Sequence, residues 1–519
     1  MKNREAKGRR FLILGAAAAI TLGLAGCSGS TATPQASQAG KIVDGGTLRI
    51  SIVDPGTQVD PVTVASPGGT TLVDIATEKL VRVGTDYKPH ADLAMSWKAS
   101  ADGLSWDFAI RDGVKFNTGS TMTADDVVAT IDRVIAPNSV SAGAGAFAGI
   151  LKSVKVGAPG HVVFTLDKPF SDFPYLLAGS NTQILPADYK TGTWQAHPVG
   201  TGPFVITNFA AGQSITFKKN PTYWNKGAIH LAGVKVNEYK DQQARVLGFQ
   251  SGQEDALIGE TIPASFTSAL DPSKYVVRTQ PEAGFSAFVL RVDEKPFNDK
   301  KVRQALAWAL DRKAIKNVVY GGNADLGNDT VYGPTDPVRP NVLKQRDASP
   351  DKVSSLLGSK KVAFTITTSS TDETQALQIQ QQLKKYKNFS VKVNVLTADQ
   401  YFAAGANSPW LSAQATITYW SSRPSPSQYN DFLYRTGAIW NASHYSNAKL
   451  DTLSSAYDSA TTSTERQKLV NQIAKIEWDD APVIITAFGH RREFLDKNVH
   501  LPRFAVDVDY TGAWMSPKS

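Results

Sequence analysis

Lys88 to Asp132 reads KPHADLAMSWKASADGLSWDFAIRDGVKFNTGSTMTADDVVATID, and the period of its apolar residues changes partway along. Trp97 to Val114 alternates, with Ala101-Asp102-Gly103 between its two runs and Leu104-Ser105-Trp106-Asp107-Phe108-Ala109-Ile110 as the second run. Alternation on both sides of a glycine-bearing break predicts a β-hairpin. Thr123 then stands three residues before Asp126, the spacing at which a hydroxyl and a carboxylate satisfy orphaned N–H groups at a helix start. Val127, Val128, Ile131, Val134 and Ile135 follow at helical spacing, the stripe of a helix with one buried face. Strand and helix signals in such close succession argue for an α/β or α+β body.

The same mixture continues in both directions. Gly46 to Val53 (GTLRISIV) alternates as a strand. Asn298 or Asp299 is placed to cap a helix whose Val302, Ala305, Leu306, Ala309 and Leu310 form the apolar stripe. Arg303, Gln304, Asp311 and Arg312 are expected on its polar side. Another helix is expected from Thr464 through Leu469, Ile473, Ile476 and Trp478 to a stop near Pro482, with Val483, Ile484 and Ile485 as a short buried strand after it. No repeat of fixed period stands out. The 519 residues exceed the roughly 100–200 of one ordinary domain, so two or three lobes are expected.

The N-terminus has the order of a secretory signal: a basic head, the apolar run Phe11 to Leu24, and then small residues. That run is too short for the roughly 30 Å of bilayer hydrocarbon. Leu24-Ala25-Gly26-Cys27 resembles the lipobox of bacterial lipoproteins, which implies that Cys27 takes a lipid and becomes the new first residue. A buried structural cysteine is the alternative. Arg9-Arg10 also raises twin-arginine export, although the residues after it fit that motif imperfectly and ordinary secretion is the preferred reading. Cys27 is the one cysteine in the sequence, so no intrachain disulfide can form and stability has to come from a core. Met1 to Cys27 carries Lys2, Arg4, Lys7, Arg9 and Arg10 against Glu5, half of the formal net charge of +8. The remainder is mildly basic without a clustered stripe, which argues against a nucleic-acid partner. Ser28 to Lys41 (SGSTATPQASQAGK) has the composition of a flexible tether.

Lys88 to Asp132 resembles the signature stretch of the extracellular solute-binding proteins of family 5, which serve peptide and nickel importers of the ABC type. More of that family's wording follows in order: Val199-Gly200-Thr201-Gly202-Pro203-Phe204, Asn220-Pro221-Thr222-Tyr223-Trp224, and Gln250-Ser251-Gly252-Gln253-Glu254-Asp255-Ala256. Val302-Arg303-Gln304-Ala305-Leu306, Tyr445-Ser446-Asn447 with Leu450-Asp451, and Asp479-Asp480-Ala481-Pro482 complete the pattern. The resemblance implies a two-lobe, periplasmic-binding-protein-like flytrap of mixed α/β class with an extra inserted lobe. Lobe I would comprise 45–78, 190–280 and 484–519, lobe II 79–189, and lobe III 281–483, with 1–27 as signal peptide and 28–44 as tether. Ligand would lie between lobes I and III. The implied partners are an ABC permease with its ATPase subunits, a small-molecule or peptide ligand, and the membrane through the lipid anchor. A monomer is expected. Gly200 and Gly202 read as a tight turn, and Trp106, Trp224 and Trp308 as core.

Ligand contact is expected in Trp420 to Tyr429 (WSSRPSPSQY), because relatives that bind free peptides resemble Trp-x-Ala-Asp-Tyr-x-Asp-Pro there. The aspartate of that motif holds the peptide ammonium. Here Trp420, Pro424 and Pro426 keep the frame, Ser422 stands where the aspartate would be, and Arg423 replaces the aromatic. An ammonium facing a serine would lose a charge partner, at a cost of about 2–5 kcal/mol. Arg423 is either a solvated surface cation or a fork for a carboxylate or phosphate; in the second case the ligand is anionic or blocked at its amino end. Trp420 would supply a flat apolar wall. Thr367, Thr368, Ser369 and Ser370 either line the same pocket or are plain loop hydroxyls.

Nothing in the sequence points to an enzyme. Ser349-Pro350-Asp351-Lys352 and Lys190-Thr191-Gly192 are in the reverse of the order found in serine β-lactamases. The seven histidines form no pair at metal-ligand spacing, so no cofactor, catalytic residue or protein-built metal site is expected. Oligopeptides or peptide-like solutes come first among ligands. Anionic conjugates, opines, oligosaccharides and nickel chelates are the alternatives, and an exported sensor or scaffold without a transport partner is the non-transport reading.

Overall fold

The computed structural model describes residues 41–56, 58–259, 267, 270–403, 405, 408–423 and 425–518. The signal segment, Cys27, most of the tether and Pro424 lie outside them. Among the described residues no helix is long and apolar enough to cross a membrane.

The quoted stretch folds as its periods predict. Ala94–Ala99 and Ser105–Ile110 pair antiparallel, with Ala99 opposite Trp106 and Trp97 opposite Phe108. Gly103 supplies the left-handed residue of the turn at φ +69°. The rings of Trp97 and Phe108 stack with centroids 5.6 Å apart. Leu151–Val156 and His161–Leu166 extend the hairpin to a four-stranded sheet. Helix Ala124–Ile135 begins where expected: Asp126 Oδ2 accepts from the Thr123 backbone N–H at 2.7 Å and from its hydroxyl at 3.0 Å.

A larger sheet spans most of the chain. Among the described residues it has eleven strands. Its centre is an antiparallel pair of long strands, Val276–Leu290 and Val483–Leu495, paired from Val276 opposite Leu495 to Val289 opposite Val483. The three-residue strand expected at Val483 is therefore thirteen residues long. On one side the sheet continues through Ala256–Leu257, Thr47–Val53, Gly233–Tyr239, Ser214–Lys219 and Phe204–Ala210. On the other it continues through Ala415–Trp420, Val362–Ser369 and Phe389–Leu396, which run parallel to one another. The central ladder slips twice, between Pro281 and Phe285 and between Phe285 and Ala287, where Pro281 has no N–H to donate.

Gly200 and Gly202 stand where a side chain would be blocked: a Cβ on Gly200 would meet the Ala76 carbonyl oxygen at 2.2 Å, and one on Gly202 the Ala76 carbonyl carbon at 2.4 Å. Two expectations are corrected. The helix expected from Thr464 is Ser463–Asp480, capped by Thr462. Helix Lys300–Ala309 is capped by Asp299 and buries Val302, Ala305, Leu306 and Ala309 as expected, but Arg303 is buried with them. Its guanidinium donates to the carbonyls of Asp480 at 2.8 Å and Phe297 at 2.7 Å. Arg312 is buried too, donating to both oxygens of Asp329 at 2.7 Å. Arg346 binds the same carboxylate and lies 3.8 Å over the Trp478 ring. The β-lactamase-like fragments have local explanations: Ser349 caps helix Pro350–Leu357, and the Gly192 N–H donates to Asp60 at 2.7 Å.

Asp329 is the shared anion of two buried guanidinium groups, so removing it strands both. Asp329→Ala is expected to lower stability by about 3–5 kcal/mol, read as a lower urea midpoint. An unchanged midpoint would show that the pairing contributes nothing net.

Candidate functional site

The slip at 281–287 sets one wall of a cleft. The adjacent strand Ala415–Trp420 ends beside it and releases the loop that carries Ser422 and Arg423. Ser422 Oγ accepts from the Gly284 N–H at 3.1 Å. The Arg423 N–H donates to the Tyr429 hydroxyl at 3.0 Å, and that hydroxyl lies 3.0 Å from the carbonyls of Ala283 and Ser421. Backbone and loop are thus fixed to each other at the point where the two long strands lose register.

Arg423 lines two adjoining spaces. One is a recess of about 30 Å³ bordered by Tyr87, Glu282, Asp336, Ser422 and Val506. The other is a cavity of about 460 Å³ reaching Thr70, Asp74, Asn181, Asp507 and Tyr510. The guanidinium lies 5.6 Å from the Phe432 ring and 5.5 Å from Trp440, within cation–π range. Its Nε is buried without a hydrogen-bond partner. Among the described residues it forms no ion pair, and burial lowers its pKa. Asp336 does not answer it: desolvation pushes that carboxyl up to about 8, so it is largely neutral at pH 7. A half-buried guanidinium that sits beside a pair of packed aromatic rings and has no ion pair among the described residues favours an incoming carboxylate or phosphate.

The expected site residues divide. Ser422 and Arg423 face the cleft. Trp420 does not form an exposed wall: it is 5% exposed and packs edge-to-face on Tyr429 and Trp440. Thr368 and Ser369 are 0% and 1% exposed inside the sheet, where Thr368 Oγ1 donates to the Ile417 carbonyl at 3.1 Å; neither borders these cavities. Trp106 and Trp308 are packed against other rings. Trp224 donates its indole N–H to Glu78 at 3.0 Å, lies under Arg111, and borders a further cavity. Among the described residues no group of three or more His, Cys, Asp or Glu side chains is arranged to hold a metal.

Several groups at the cleft carried no local signal. Asp172, 2% exposed, pairs with Arg466 and accepts from Ser425 and Ser427, the latter at 3.2 Å. Tyr87 donates to the Pro281 carbonyl at 2.8 Å, and the Ser171 N–H donates to the Asp458 carbonyl at 2.6 Å. Segment 79–189 is thereby fastened across the cleft to the loop that bears Arg423. The last wall is Ala505 to Tyr510, which is far away in sequence.

Residues 88–441 match the model of the bacterial extracellular solute-binding proteins, family 5, middle region. The chain is 27% identical to the probable D,D-dipeptide-binding periplasmic protein DdpA of Escherichia coli K12, over 83% of this chain and 86% of that one. Among solved structures it resembles the oligopeptide-binding protein AppA of Bacillus subtilis in complex with a nonapeptide, at TM-score 0.71 and 22% identity, covering 92% of this chain and 100% of that one. It also resembles HbpA2 of Haemophilus parasuis, at TM-score 0.78 and 22% identity over 91% and 100%. The fold is that of the two-lobed periplasmic binding proteins.

Asp172 is the common acceptor of this cross-cleft contact. Asp172→Asn is expected to loosen it and raise the radius of gyration measured by X-ray scattering. An unchanged radius with unchanged protease sensitivity would show that other contacts hold the cleft shut.

Proposed function

The chain belongs to the bacterial extracellular solute-binding proteins, family 5, and on that premise we propose that it is the capture subunit of an ABC importer for peptides or peptide-like solutes that present an anionic group to Arg423. The observation that carries this reading is the half-buried Arg423 guanidinium, which has a buried Nε without a hydrogen-bond partner, no ion pair among the described residues, and a place on the border of both the recess and the 460 Å³ cavity. A volume of that size falls within the roughly 300–1,000 Å³ of small-ligand sites. DdpA, named as a dipeptide binder, and AppA, solved with a nonapeptide, support a peptide-like cargo. Ser422 offers no charge to a ligand ammonium, so the carboxyl end or an acidic side chain is the group assigned to this loop.

Capture proceeds by closure. Lobe I (45–78, 190–280 and 484–519) and lobe III (281–483) approach across the cleft, with lobe II (79–189) fastened against lobe III, while the long strands bend where their ladder slips. Ligand contacts made to both sides favour the closed state over the open one. Cys27 is the proposed lipid attachment, 28–44 the tether, and a separate permease with its ATPases the recipient. Such a subunit works at the outer face of the membrane.

A thermal-shift screen of the purified protein against free, N-acylated and anionic peptides, oligosaccharides, phosphorylated sugars and nickel chelates tests the cargo class. A ligand at 100 times its Kd adds about 2.7 kcal/mol to the folded state. Arg423→Ala is expected to weaken binding of the best peptide about tenfold or more, with little loss of stability, by calorimetry. Trp420→Ala is expected instead to destabilise by about 3–5 kcal/mol, because it empties a buried aromatic site. Unchanged affinity in Arg423→Ala overturns this assignment of the site.

A further inference from the structure

The 460 Å³ cavity does not end at its own far wall. Asp74, Asp507, Val508 and Tyr510 border it and also a larger cavity of about 650 Å³, which reaches Glu78, Asp92 and Asp509. Six carboxyl side chains line the larger space, and the five aspartates among them still outnumber its three fixed cations, Lys79, Arg82 and Arg503. Lys79 lies 2.7 Å from Asp507 and 3.5 Å from Asp74, so one cation answers two carboxylates and a negative charge is left over. Tyr510 stands on the shared wall, 3% exposed, and among the described residues its hydroxyl has no hydrogen-bond partner. A phenolic oxygen there, close enough to feel the charge of Asp74, is an acceptor without a donor. Burial acts on the carboxyls as well. Desolvation, opposed by Lys79, still leaves Asp74 raised to about 6, and desolvation with the charge of Asp92 raises Glu78 to about 8. Tyr223 and Trp224 close the far end.

We propose that this acidic annex receives the ammonium end of the ligand whose anionic end faces Arg423, so that the solute lies across the cleft with its positive group against Asp74, Asp507 and Tyr510. The proposal rests on the reading of the cleft as a peptide site and adds polarity to it. A free peptide would place its carboxyl end at the 420–423 loop and its amino end at the 507–510 wall. Ser422 then needs no acidic substitute nearby, because the ammonium is held elsewhere. The chemistry selects dipolar solutes over purely anionic ones: a lone anion satisfies Arg423 and leaves the annex's excess negative charge and the Tyr510 hydroxyl unanswered.

Calorimetric titration of the purified protein with di- to hexa-alanine, each free, N-acetylated and C-amidated, tests this. For the length that binds best, acetylation is expected to weaken binding to the unsubstituted protein about tenfold, about 1.4 kcal/mol. Asp507→Asn should weaken the free peptide to a similar degree and make acetylation nearly neutral, which identifies that carboxylate as the partner of the amine. Amidation should be neutral in Arg423→Ala by the same logic. The acetylation comparison needs no variant, so it stands even if Asp507→Asn misfolds. If amidation weakens binding and acetylation does not, the annex assignment is overturned while the Arg423 reading stands. Equal sensitivity to acetylation in both proteins places the amine elsewhere and also overturns it. Failure of every alanine peptide to bind overturns both.

Discussion

The two long antiparallel strands carry the architecture. Val276–Leu290 and Val483–Leu495 pair on both sides of an interruption at Pro281 to Ala287 and belong to both halves of the large sheet. A ladder of this kind resists shear, because every slip by one residue exchanges the two faces of a strand. It gives way only where pairing is already interrupted. That place is Pro281 to Ala287, where a proline withholds its N–H and the chain bulges. The same residues offer the carbonyls of Pro281 and Ala283 and the Gly284 N–H to Tyr87, Tyr429 and Ser422. The interruption of the central ladder is therefore also a wall of the cleft, so a bend there would change the site directly.

Arginine is treated in two ways in this protein. Arg303, Arg312 and Arg346 are taken out of water and answered by carbonyls or by a carboxylate. That is what desolvation demands, since a buried charge without a partner costs several kcal/mol. Arg423 is the contrast. It has two aromatic rings, which recover part of that cost, and no anion among the described residues. Its surroundings lower its pKa without providing the counter-charge that would complete the site. On the opposite wall the imbalance is inverted, with carboxylates exceeding cations around Asp74 and Asp507. A cleft whose two ends carry, among the described residues, an excess of charge of opposite sign would be matched by a solute that has both.

Much of the local structure was legible from the sequence. The hairpin at Trp97 to Ile110, the Thr123–Asp126 helix start and the Asp299 cap depend on residues within a few positions of one another, and period and capping chemistry report such relations. The family wording likewise pointed to the fold, because several motifs in fixed order leave few alternatives. Where the reading failed, the cause was tertiary. Arg303 and Arg312 look polar on a helical wheel, yet both are buried against partners from distant segments. Trp420 has the residue type of a ligand wall, but Tyr429 and Trp440 close over it. Thr368 and Ser369 sit in a central strand whose neighbours cover both faces.

What the sequence by itself determined was the mixed α/β class, the positions of strand and helix starts, and the membership implied by ordered motifs. These follow from spacing along the chain. Only the tertiary structure decided which of those residues meet the cleft, that Asp172 and Ser425 fasten its two sides, and that Ala505 to Tyr510 forms its far wall. The reason is physical: charge balance and burial are properties of a volume, and the groups filling this one come from segments hundreds of residues apart. No local pattern records whether a guanidinium will be given a partner.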